Sequence, residues 1–129
     1  MLEVLGSLRI AKAAQGGEQA LASIGDGDAR EQFHATIRLA PKLDRAWYGL
    51  GMIYLERNEL EAAIEHLKEA AKLQYFNPFA AINLISAYRR AGRTAEALEE
   101  INRLNGFDPK AAAQAATDVA LEAVQLFGG

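Results

Sequence analysis

Residues 44–73 read DRAWYGLGMIYLERNELEAAIEHLKEAAKL, and this stretch decides the fold. From Asp44 onward, Trp47, Leu50, Gly51 and Tyr54 recur at spacings of three and four, which places one apolar stripe on a helix. Arg57-Asn58-Glu59 ends that helix. Asn58 followed by Glu61 predicts an N-cap with a carboxylate reaching back to it. A second stripe follows in Leu60, Ala63, Ile64, Leu67, Ala70 and Ala71. Two striped helices joined by a short turn must pack their stripes together.

The same chemistry continues outward. Asn77-Pro78 starts a helix, since proline lacks only an N–H that the first turn leaves unpaired anyway. That helix carries Ala81, Leu84, Ile85 and Tyr88 and stops at Gly92, a residue suited to a left-handed C-terminal turn. Thr94 caps the next, with Ala97, Leu98, Ile101 and Leu104 as its stripe. Asp108-Pro109 opens a last helix that runs to about Phe127. No alternating run reads as a strand, and the intervening segments are rich in Ala, Leu, Glu, Arg and Lys. The chain is all-α. A shift of 34 residues superimposes Tyr54 on Tyr88, Leu50 on Leu84, Ala63 on Ala97 and Leu67 on Ile101. The reverse shift brings Gly17, Ala29 and Phe33 under Gly51, Ala63 and Leu67.

This period, with Trp47-x2-Leu50-Gly51-x2-Tyr54 and then Ala63, Leu67 and Ala70, resembles the tetratricopeptide repeat. The resemblance covers about residues 10–111: a degenerate unit at 10–43, the best unit at 44–77 and a second clear unit at 78–111. The 78–111 unit has Ala81 where tryptophan stands in its predecessor, and Ile85 in place of Gly51. It implies a single domain over 1–129: a right-handed α-solenoid of about three antiparallel helix pairs with a capping helix at 110–127. Small residues at Gly51, Ala63, Ala70 and Ala97 are expected at close helix contacts, where at Gly51 anything larger than alanine would part the pair.

Composition bounds the function. The 129 residues include fourteen Lys+Arg and seventeen Asp+Glu, a net charge of -3, which argues against a nucleic-acid partner held by a broad basic face. No apolar run approaches a membrane span, and Glu3 sits where a secretory signal would be basic, so the default setting is cytoplasmic. The absence of cysteine removes disulfides and thiolate chemistry. His34 and His66 fall on second helices of different units and read as surface histidines. Gly25-Asp26-Gly27-Asp28 reads as an inter-helix turn, with Asp28 and Glu31 forming a capping box rather than a cation loop. Ser7, Ser23, Thr36 and Ser86 have no elbow motif or base partner, and Gly16-Gly17 opens no phosphate loop. The expectation is a protein with no catalytic residues, no metal and no cofactor.

In tetratricopeptide solenoids the first helix of each pair lines the concave surface, and that resemblance supplies the candidate site. On the 44–57 helix it selects Arg45, Tyr48, Gly49, Met52, Leu55 and Glu56. On the 78–91 helix it selects Phe79, Ile82, Asn83, Ser86, Arg89 and Arg90. Tyr48, Met52, Leu55, Phe79 and Ile82 would form an apolar strip flanked by arginines. The expected ligand is a protein or peptide combining apolar residues with acids, and family members that bind peptides often use an asparagine like Asn83 on ligand backbone. The clamp that holds chaperone C-termini is poorly matched, since Tyr48, Met52 and Phe79 stand where its lysines and asparagine belong. Two alternatives compete: a homo-oligomer or structural module in which the same strip pairs two copies, and an accessory domain of a longer enzyme.

Overall fold

The computed structural model describes the backbone of residues 26–127 and the side chains of residues 29–125. Six helices follow one another: α1 (Asp26–Leu39), α2 (Asp44–Glu56), α3 (Leu60–Leu73), α4 (Pro78–Arg90), α5 (Thr94–Asn105) and α6 (Pro109–Phe127). Each packs mainly on its neighbours in sequence, and α4 also touches α2 and α6, the pattern of a helical-repeat solenoid. The expected first helix of the 10–43 unit, together with the side chains of Asp28 and Phe127, lies outside the described residues.

The turns repeat as the sequence does. Asn58 and Gly92, which are in register, both adopt left-handed backbone, at φ 61° and 75°. After α2, the Glu59 N–H reaches the Tyr54 carbonyl at 2.8 Å and the Asn58 N–H reaches Leu55 at 3.0 Å. After α4, Arg93 and Gly92 make the same two bonds to Tyr88 and Arg89, at 2.8 and 3.0 Å. These paired bonds satisfy carbonyls that the helix end would otherwise strand. Asn58 therefore terminates α2; it is not the N-cap of α3, where Glu59 stands without a side-chain cap bond. The proline starts are as expected. Asn77 Oδ1 accepts from the Phe79 N–H at 2.9 Å, and Asp108 Oδ1 from the Ala111 N–H at 3.1 Å.

Glycine sets the helix spacing. A Cβ on Gly51 would lie 2.6 Å from Leu67 Cγ and 2.7 Å from Cδ2, so even alanine does not fit without moving a fully buried leucine. The sequence-based tolerance of alanine is thus corrected. Gly49 does the same between α1 and α2: its Cβ would fall 2.5 to 2.8 Å from the buried Phe33 ring. It belongs to this contact and not to an open surface. Leu98, placed in the α5 stripe by spacing, is exposed, while Ala97, Ile101 and Leu104 carry the packing.

Candidate interaction surface

The first helices α2, α4 and α6 lie side by side, with α4 in the middle. Arg45 is exposed, and Tyr48, Met52, Asn83 and Ser86 are half-buried. Phe79 and Ile82 are 65% and 38% exposed, so this surface carries large apolar groups open to solvent. Leu55 does not join them. It is 5% exposed and packs in the same cluster as Ala80, Leu84 and Ala87 of α4, which corrects its assignment to the strip.

Three of the polar candidates, Asn83, Arg89 and Arg90, are engaged within the chain. The Asn83 amide donates to the Tyr48 hydroxyl at 3.0 Å and to the Phe79 carbonyl at 2.9 Å, using both of its hydrogens and joining α4 to α2. Arg89 Nε donates to Glu122 Oε1 at 3.2 Å, and Nη2 donates to the same oxygen, joining α4 to α6. That hydrogen bond holds the Glu122 carboxyl below the usual range and raises the Arg89 guanidinium. Arg90 Nη2 donates to the Leu55 carbonyl at 3.1 Å and to Asn58 Oδ1 at 2.8 Å, placing a cation at the C-terminus of α2, where the helix dipole favours it.

The sequence reading stopped one helix short. The 34-residue shift that pairs 45 with 79 also carries 79, 82, 83, 86 and 90 onto Ala113, Ala116, Thr117, Ala120 and Val124 of α6. All five are exposed. They extend the same face with small and apolar groups, and Leu121 lies exposed beside them.

A second constellation lies where α1 and α3 approach. His34 and His66, expected as separate surface groups, are half-buried with ring centroids 6.3 Å apart. The His66 ring is 5.5 Å from Trp47 and 5.1 Å from Tyr54. His34 Nε2 lies 3.3 Å from the Tyr54 hydroxyl, and His66 Nδ1 donates to the Ala62 carbonyl at 2.8 Å. Burial, followed by the nearby His66, Arg38 and Arg30, lowers the His34 pKa. The two rings are 32 residues apart, two short of the period, and meet edge to face, so the 34-residue register alone does not reveal the contact. Among the described residues no three His, Cys, Asp or Glu side chains gather as a metal set, and no helix is long and apolar enough to cross a membrane.

A family model described as tetratricopeptide repeat matches residues 27–78. Over these residues the chain carries tetratricopeptide repeats. Solved structures agree on the fold. A point mutant of MamA superimposes with a TM-score of 0.70 at 18% identity, over 88% of this chain and 67% of that one. A second MamA structure, MSR-1 C2, gives 0.65 at 20% identity, over 86% and 67%. A mutant Thermobaculum terrenum O-GlcNAc transferase gives 0.68 at 16% identity over 81% of this chain, which spans only 20% of the transferase. No curated protein matches in sequence. Tetratricopeptide repeats generally mediate protein–protein interaction.

Proposed function

We propose that this tetratricopeptide protein is a non-catalytic interaction module whose concave groove, formed by α2, α4 and α6, seats an apolar segment of a partner protein. The observation that carries this reading is the exposure of Phe79 and Ile82 on the middle helix, continued by the alanines and Val124 of α6. A contiguous exposed apolar strip marks an interaction site. Both hydrogens of the Asn83 amide are already used, which favours a helix docking by its apolar face over an extended peptide held through its backbone. Arg45 at the edge remains the cation placed to meet an acid on the partner. The cysteine-free sequence suits a cytoplasmic setting.

The test compares capture of partners from native lysate by the wild-type protein and by Ile82→Asp. The expected result is lost capture at an unchanged melting temperature. Capture that persists, or a lowered melting temperature with normal capture, would overturn the reading. Leu121 and Val124, exposed on the last helix, favour one second reading, self-association. Light scattering across a concentration series decides it, since a monomer at all concentrations excludes that role.

A further inference from the structure

On the opposite side, between α3 and α5, a cavity of about 400 Å³ opens to solvent. Its wall includes Lys68, Lys72, Tyr75, Tyr88, Glu100 and Arg103. The cavity has a structural cause. Its counterpart one unit earlier is filled by the Trp47 and His66 rings, and there the Tyr54 hydroxyl meets His34. Adding 34 turns Trp47 into Ala81, His66 into Glu100, His34 into Lys68 and Tyr54 into Tyr88. Ala81 is fully buried and Arg103 takes over the indole's backbone carbonyl, so the opening lies beside Tyr88, which has no counterpart of the His34 partner.

Tyr88 is 5% exposed and lines the cavity, yet nothing among the described residues hydrogen-bonds its hydroxyl. Lys68 and Lys72 form no ion pair among the described residues. Arg103, by contrast, is held by Glu100 through three hydrogen bonds of 2.5 to 3.0 Å. Its Nη1 donates to the Tyr75 carbonyl at 2.7 Å, as Trp47 Nε1 donates to the equivalent Pro41 carbonyl at 2.8 Å. The cavity therefore offers apolar walls, one buried hydroxyl, two lysine ammonium groups without an ion pair among the described residues, and the carboxylate of Glu69.

We infer that this cavity is a ligand site for a planar aromatic group bearing a carboxylate. The ring would pack against Tyr75, Leu84 and Tyr88, with the carboxylate drawn to the two lysines and hydrogen-bonded by Tyr88. Such a group can belong to a free aromatic acid or to an aromatic–acidic pair in a peptide, and two probes separate these sources.

The experiment titrates the full chain with indole-3-acetate and, separately, with an N-acetylated tryptophan–glutamate dipeptide amide, followed by NMR. Saturable shifts at Lys68, Lys72 and Tyr88 with either probe support the site, and the stronger probe names the source. Tryptophol, which lacks the carboxylate, should bind about tenfold more weakly, as should indole-3-acetate to Tyr88→Phe or to Lys68→Gln/Lys72→Gln. Tyr88→Phe removes one oxygen and keeps the packing, so it tests the site without threatening the fold. No saturable shift with either probe, or equal binding by these variants, would overturn the proposal.

Discussion

The protein solves the same packing problem twice, once with aromatic rings and once with ions. Between α1 and α3 the gap is closed by Trp47, Tyr54, His34 and His66, with the His66 ring against the other three and His34 against the Tyr54 hydroxyl. Between α3 and α5, in register, Arg103 spans the edge of the gap on Glu100 and stacks 4.6 Å from the Tyr75 ring centroid and 5.4 Å from Phe107. A guanidinium fork is flat like an indole and satisfies the same backbone carbonyl, but it cannot fill the volume behind it. With Arg103 in place of the indole of Trp47, the second seam stays open beside Tyr88.

Substitutions that break this comparison rank by how much buried contact they remove. Trp47→Ala should be the most damaging, at about 2 kcal/mol, below the usual loss for a fully buried tryptophan because Trp47 is half-exposed. Chemical denaturation checks it, and a loss under 0.5 kcal/mol would mean that the rings do not hold the seam (roughly the scatter of surface substitutions). Gly51→Ala should cost about 1–2 kcal/mol through overpacking against Leu67. Its counterpart Ile85 is already large, so Ile85→Gly should destabilise by leaving a hole instead; opposite volume changes with the same sign of effect would confirm that the two pairs are spaced differently.

Gly92→Ala should cost about 1 kcal/mol, entirely through the left-handed backbone, because an added Cβ meets nothing within 4 Å. Asn58→Gly should gain less than that penalty, since it relieves the same conformation but gives up the bond from Arg90. The smallest effect is pH dependence. The folded pKa of His34 lies below 6.5, so the unfolded chain takes up the proton more readily. Stability from this group is complete above the unfolded value and is lost as pH falls through the folded one. The melting temperature should decline on acidification from about pH 7 to about pH 5, and His34→Gln should flatten that decline. An unchanged slope would mean that the ring cluster does not sense the proton.

Much of this architecture was legible because it rests on repetition. Helix order, the proline starts and the tight Gly51 contact all follow from spacing and from what proline and glycine permit. Leu55 was misplaced because spacing within α2 cannot show that α4 covers its last turn. Asn58 was read forward, as the start of α3, because asparagine suits both roles; the stranded carbonyls of Tyr54 and Leu55 decided it. The histidine cluster and the cavity needed comparison across units, position by position, and no single helix reveals either. On the interaction face, the exposed Phe79 and Ile82 were legible from register, while the internal bonds of Asn83, Arg89 and Arg90 were not, because each partner lies on a different helix.

The two flanks of α4 are tied differently to its neighbours, and this has a consequence for how the molecule opens. Towards α2 it is joined by Asn83 and Arg90 and by a shared apolar cluster. Towards α6, among the described residues, the last helix contributes the buried Ala112 and Ala115 and the partly buried Ala111 and Val119, supplemented by the Arg89–Glu122 pair. Alanines bury little area, and a half-exposed ion pair adds little more. In a linear array each element is only as secure as its contacts with the next, so α6 is the first to detach. Amide exchange should therefore run as a gradient, fastest along 110–125 and slowest in α3 and α4, and high salt should steepen it by loosening Arg89 from Glu122. Detachment would release Arg89 as a second cation beside Phe79 and Ile82, so the state of the last helix would set how much positive charge the proposed interaction face presents.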